Sequence, residues 1–233
     1  GRIERAGGRY LVVDTAGLRR KARVAKTGDA VEAMSVIKAI RAVERAEVVI
    51  LMCDAPEGVA EQDAKVLGLA TDRGRAIVVG LNKIDKLSQA ELREARRKAR
   101  DVLTFAAWAP ITSLSAKTGR GVDRLLQKVD EVHASFNQRV PTGELNRVVE
   151  HALQTKPPRI RSGRRASIYY APQVGTHPPS IALFVNDPDL FDPAFRRYLE
   201  NLFRDTYPVR EVPVRFDFRR RERKSLSELK GGG

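Results

Sequence analysis

Three short clusters carry residue types that do chemistry together: Asp14-Thr15-Ala16-Gly17, Asn82-Lys83-Ile84-Asp85 and Ser115-Ala116-Lys117. In the first, an acidic side chain can hold a metal ion through water. A glycine two residues past the Thr can bring a bare backbone N–H against a phosphate oxygen. In the second, a carboxylate placed edge-on accepts two adjacent N–H donors. Guanine offers such a pair, N1–H and its exocyclic amine, and adenine does not. Asp85 facing the wrong base would be desolvated and unpaired, at a cost on the order of 3 kcal/mol or more. Lys83 can lay its aliphatic stem across a purine face, and Asn82 can tie its loop to a neighbour. In the third cluster the Ala116 N–H can donate to guanine O6. Taken singly, each cluster also fits an ordinary turn, because Asn, Asp, Ser and Gly all favour turns. Order and spacing separate the two readings: one strand-helix unit fits between each successive pair of clusters.

A strand must deliver each cluster. The run Arg9-Tyr10-Leu11-Val12-Val13 is expected to be a buried strand ending at Asp14, preceded by a short edge strand around Ile3 and a Gly7-Gly8 hairpin turn. The polar stretch Arg19 to Val31 reads as a mobile loop. Ala30 to Val43 then has apolar residues at 33, 36, 37, 40 and 43, a helical period. Val48 to Cys53 and Ala76 to Leu81 are apolar throughout, as strands covered on both faces should be. Between them, Gln62 to Ala70 is a helix. Ser88 caps a charged helix running to Leu103, with Glu91 completing a capping box. Pro110 to Leu114 is a further strand and Asp123 to Phe136 a closing amphipathic helix. Alternating strands and helices predict a doubly wound, mostly parallel α/β sheet over residues 1–138, with ligands at the carboxyl ends of its strands.

Composition changes after that point: ten of the 12 prolines lie from Pro141 onward. A helix from Pro141 to Leu153, strands at Ala166–Ala171 and Ser180–Val185, a helix from Pro193 to Tyr207 and a strand at Val212–Phe218 give a small α+β domain of order α-β-β-α-β over residues 139–220. Residues 221–233 form a basic tail, and the arginine run that feeds it, Arg219 to Lys224, reads as disordered.

Composition bounds the function. The chain has 233 residues, 42% of them hydrophobic, and no apolar run near the roughly 20 residues of a membrane span. Its single cysteine, Cys53, lies in an apolar run and reads as core. His133, His151 and His177 are scattered and suggest no metal cluster. An intracellular, cytoplasmic protein is expected, with no membrane partner. A net charge of +14 favours polyanionic partners, above all nucleic acid.

Asp14 to Lys21, Ser35-Val36-Ile37-Lys38, Asn82 to Asp85 and Ser115 to Lys117 together resemble the P-loop GTPase fold, and more closely the bacterial tandem-domain GTPases of the Der (EngA) family. The resemblance continues through Pro157-Pro158, Gly163-Arg164-Arg165 and Arg197-Tyr198-Leu199. It implies a second GTPase domain followed by a carboxyl-terminal KH-like domain, acting in assembly of the large ribosomal subunit. GTP/GDP, Mg²⁺ held by Asp14 through water, and K⁺ are the implied cofactors. The large-subunit precursor, its rRNA and an intramolecular contact between the two domains are the implied partners. No Gly-x-x-x-x-Gly-Lys-Ser/Thr phosphate loop occurs in the sequence, so it reads as a fragment expected to be inactive on its own. Leu18 stands where Ras-like enzymes place a water-orienting Gln, so no catalytic residue is assigned and slow turnover is expected. An alternative is a non-catalytic RNA- or ribosome-binding module on a GTPase-like scaffold.

The second domain resembles a KH module but lacks the Gly-x-x-Gly loop that clamps a nucleic-acid backbone. The stretch Asp187 to Pro193 is acidic instead. Arg159, Arg161, Arg164, Arg165, Arg219, Arg220 and Arg221 are therefore the candidate rRNA contacts. Tyr169 and Tyr170 could stack on bases, although strand alternation predicts at least one of them in the core.

Overall fold

The computed structural model describes residues 1–5, 8–13, 41–160 and 163–221. It divides into two units, Gly1–Asn137 with Arg210–Pro213, and Gln138–Val209 with the chain from Val214 onward. The Asp14–Gly17 cluster, Leu18, residues 19–31, the predicted helix up to residue 40, Arg161 and the residues beyond Arg221 lie outside the described residues.

In the first unit, β1 (Arg2–Arg5) and β2 (Gly8–Leu11) form an antiparallel hairpin. After a helical segment at 41–45, β3 (Val48–Asp54), α1 (Glu61–Asp72), β4 (Ala76–Asn82), α2 (Gln89–Val102), β5 (Ile111–Ser113) and α3 (Val122–Phe136) follow in order. The sheet runs β3-β4-β5 with both pairings parallel. This is the α/β architecture that alternating strands and helices require. Ile77, Val79 and Leu81 of β4 join Leu51, Cys53, Leu67, Ala70 and Ala99 in one core. The alternate residues Ala76 and Val78 are equally buried, because α3 packs on the opposite face. Two local signals are realised as read. The Ser88 side chain accepts from the Glu91 N–H at 3.3 Å, and the Ser88 N–H donates to the Glu91 carboxylate at 2.7 Å.

Two expectations for this unit are corrected. The Arg9–Val13 run is not a buried strand: β2 pairs with β1 alone among the described residues, and Leu11 is 69% exposed. A two-stranded ribbon has too little cover to bury its apolar residues. The Tyr10 hydroxyl nonetheless donates to Asp130 of α3 at 2.5 Å. β3 is not covered on both faces either, since Leu51 and Cys53 are buried but Ile50 and Met52 are exposed. It is an outer strand of the described sheet, and α3 packs mainly on β4.

The second unit runs α4 (Thr142–Thr155), β6 (Ile168–Tyr170), β7 (Gln173–Gly175), β8 (Ser180–Val185), α5 (Pro193–Thr206), β9 (Arg215–Arg220). β6 and β7 both pair antiparallel with β8, and β9 pairs parallel along its other edge. The core is Leu145, Val149 and Ala152 of α4, Ile181, Leu183 and Val185 of β8, and Phe195, Leu199 and Phe203 of α5. Three sequence expectations fail here. The sheet has four strands rather than three, because Gln173-Val174-Gly175 pairs beyond Ala171. Arg219 and Arg220 belong to β9 and not to a disordered run. Neither tyrosine is core: Tyr169 is 48% and Tyr170 42% exposed, since the register shifts between Ile168 and Tyr170 and breaks simple alternation.

Candidate guanine-reading site

β4 and β5 are adjacent and parallel, so the loops after them emerge side by side. Asn82 closes β4, and its side-chain oxygen accepts two backbone N–H groups, from Lys83 at 2.8 Å and from Ala116 at 2.9 Å. The first bond helps Lys83 take a left-handed conformation, φ 65°. The second ties the loop after β4 to the loop after β5. A third link is the Ile84 N–H to the Leu114 carbonyl, 3.3 Å.

The Ser115 hydroxyl donates to Asp85 Oδ1 at 2.5 Å and accepts from the Thr118 N–H at 3.3 Å. Ser115 is fully buried, while Asp85 is exposed at the loop tip. That hydrogen bond is the main reason the Asp85 carboxyl sits below its ordinary range. Partial desolvation opposes it, and a backbone N–H with the charges of Lys117 and Lys86 adds to it. Asp85 is thus a fixed, exposed anion. An oxygen that accepts from Ser115 keeps acceptor capacity for a ligand.

Lys83 does not project freely. Its ammonium pairs with Asp54 Oδ2 at 2.6 Å, which lays the stem from the β4 loop toward the end of β3. Asp54 was not singled out from sequence; its only signal is an acidic residue closing an apolar strand. The Ala116 N–H also differs from expectation, being already donated to Asn82. Gly121 supports the loop from behind. Its φ is +80°, and a Cβ there would lie 2.4 Å from the Ser113 carbonyl oxygen.

In the second unit the candidate arginines separate into three groups. Arg164 and Arg220 both bind Asp187, each at 3.0 Å, and Arg219 binds Asp217 at 2.7 Å. Arg221 lies over the Tyr169 ring, 5.0 Å from its centroid. Arg159 and Arg165 are exposed.

Residues 139–219 match the family described as the KH-domain-like, C-terminal domain of EngA bacterial GTPase enzymes, and residues 35–135 match the elongation factor Tu GTP-binding domain. GTPase Der of Syntrophobacter fumaroxidans is 42% identical over 224 residues, 95% of this chain and 50% of that protein. GTPase Der of Caldanaerobacter subterraneus subsp. tengcongensis is 40% identical over 210 residues, 89% of this chain and 47% of its own. The chain belongs to the Der (EngA) family. It spans about half the length of the curated relatives it matches. Among solved structures, Aquifex aeolicus Era is 15% identical with a TM-score of 0.41, over 84% of this chain and 73% of its own. Among the described residues, no helix is long and apolar enough to cross a membrane, and no group of His, Cys, Asp and Glu side chains could hold a metal ion.

Proposed function

We propose that this chain supplies the base-reading half of a guanine-nucleotide site and a KH-like domain to a GTPase that acts in assembly of the large ribosomal subunit. The observation that carries the reading is the Asp85 carboxylate held on Ser115 beside the Asn82 bridge to Ala116, at the carboxyl ends of two adjacent parallel strands. Asp85 accepts guanine N1–H and the exocyclic amine. The Ala116 N–H donates to O6, shared with Asn82 Oδ1. The Lys83 stem, anchored by Asp54, packs on the purine face. A base without the paired donors leaves the Asp85 charge unsatisfied, and selectivity follows from that penalty.

The residues that would face the phosphates belong to the same proposal: Asp14 with Mg²⁺ through water, and Thr15, Ala16 and Gly17 through backbone N–H groups. Leu18 cannot orient a water, and a bound K⁺ would supply positive charge there in place of the missing side chain. In this proposal the nucleotide state of the protein governs docking of the KH-like domain and contact with rRNA. The chain contains no Gly-x-x-x-x-Gly-Lys-Ser/Thr phosphate loop, and base contacts alone supply only part of a nucleotide's affinity. This chain as it stands therefore binds and hydrolyses GTP negligibly. Titration with a fluorescent GTP analogue tests that. Submicromolar binding overturns it.

A further inference from the structure

We propose that the exposed aromatic cluster of β6 and β8 in the second unit, Tyr169, Tyr170 and Phe184, is a stacking platform for the unpaired bases of single-stranded RNA. This rests on the reading of that unit as RNA-facing, and it names where and how the contact is made.

Two ring contacts fix which side of β9 faces the helices. Phe216 meets Phe203 edge-on with centroids 5.6 Å apart, and Phe218 meets Phe191 at 5.0 Å. Strand alternation then turns Arg215, Asp217 and Arg219 to the opposite face. On β8, Ile181, Ala182, Leu183 and Val185 are all fully buried, and Phe184 is only partly covered. Phe184 stands opposite Arg219 on one side and Tyr170 on the other. Arg219, Phe184 and Tyr170 therefore form one row across three strands.

Within that row Tyr170 and Phe184 stack with centroids 4.2 Å apart and planes 6° from parallel. One ring of the pair supports the other, and Tyr170 remains 42% exposed. Beside it Tyr169, 48% exposed, lies beneath the Arg221 guanidinium at 5.0 Å. Exposed aromatic rings held flat by a partner and flanked by guanidinium groups are what base stacking along a charged backbone requires. A duplex presents no free base faces. An acidic peptide would use the arginines and leave the rings idle. The mode also differs from backbone clamping between helices, for which this domain has an acidic stretch in place of a Gly-x-x-Gly loop.

The test is fluorescence anisotropy of a labelled oligouridine strand and of a labelled RNA duplex, with the chain as it stands. Y169A/Y170A, Y169F/Y170F and R159A/R165A variants are compared across a salt series. The chain is expected to prefer the single strand. Tyr-to-Ala replacement should weaken that binding about tenfold or more with an unchanged salt slope, and Tyr-to-Phe replacement should keep it. The arginine variant should lower the slope and leave the preference for single strands intact. Equal binding of duplex and single strand, or an unaltered affinity in the Ala variant, removes the platform while the RNA reading stands. No binding of either RNA removes both. If Y169A/Y170A does not fold, photocrosslinking of 5-iodouridine RNA to the unmodified chain decides. Crosslinks must map to Tyr169 or Tyr170, and a map confined to other residues overturns the proposal.

Discussion

Ser115 Oγ donates to Asp85 Oδ1 across 2.5 Å, joining two loops whose residues are 30 positions apart in the chain. The bond does two things at once. It fixes the direction of an exposed carboxylate, and it favours its charged form. Both are what a site reading a donor pair needs, and neither is a property of Asp85 alone.

The pH behaviour of this pair follows. The Asp85 carboxyl is depressed in the folded chain, chiefly by Ser115. A depressed acid contributes stability that is present above its unfolded value and is lost as pH falls through the folded one. Carbon-detected NMR titration should therefore place the Asp85 midpoint below the ordinary 3.8. In Ser115→Ala the midpoint should move upward, and the loss of stability in acid should become shallower. An unshifted midpoint in the variant would show that Ser115 does not hold the charge.

Asn82→Ala removes the acceptor for two backbone N–H groups, those of Lys83 and Ala116. Each lost bond is worth on the order of 1 kcal/mol, so denaturant unfolding should show a loss of about 1–3 kcal/mol. Amide exchange should speed up at Lys83 and Ala116 in particular. A uniform change across the sheet would point to general destabilisation instead.

Gly121→Ala places a side chain at φ +80° and 2.4 Å from a backbone oxygen. Strain of this kind costs about 1–3 kcal/mol. The Ser115 N–H donates to the Arg120 carbonyl at 2.8 Å, next to the substituted residue, so the Ser115–Lys117 loop should shift as well. Denaturant unfolding with NMR shifts of the Ser115 and Ala116 amides checks both effects. A variant as stable as the parent would mean that the loop accommodates a Cβ.

Asp187 is the hub of the second unit. It is 6% exposed, binds Arg164 and Arg220, and accepts the Asp189 N–H. Its carboxyl is held down first by that backbone N–H and then by the two arginines, against partial desolvation. Asp187→Asn should lower the melting temperature more than Arg164→Ala or Arg220→Ala alone, because it leaves two cations without their shared anion. If Arg220→Ala is the more damaging change, the hub lies elsewhere. The same ion pairs engage Arg164 and Arg220 with protein, which leaves Arg159 and Arg165 as the more available cations for a phosphate backbone.

Local patterns carried most of the fold. The apolar run at 76–81 is the covered strand it reads as, and Ser88 with Glu91 declared a helix start in four residues. The Asn82 and Ser115 clusters were readable as loops at strand ends because the strands before them are continuous in sequence. Long-range pairings were less legible. Asp54 reaches Lys83 across 29 positions and leaves no periodic trace. The three residues of β7 are too few for a period to show. The exposure of Leu11 reflects which strands lie beside it, a tertiary fact that an apolar run cannot encode. Tyr169 and Tyr170 escaped the alternation rule because of a register shift that is likewise set by the neighbouring strand.

The most direct measurement is base preference at Asp85. With a Gly-x-x-x-x-Gly-Lys-Ser/Thr segment joined ahead of Gly1 to hold the phosphates, Asp85→Asn should weaken GTP about a hundredfold. It should also strengthen xanthosine triphosphate, whose edge offers an acceptor where guanine has an amine. Equilibrium titration of both nucleotides against both proteins reads this exchange. A GTP preference that survives Asp85→Asn unchanged would contradict the assignment of this carboxylate as the reader of guanine.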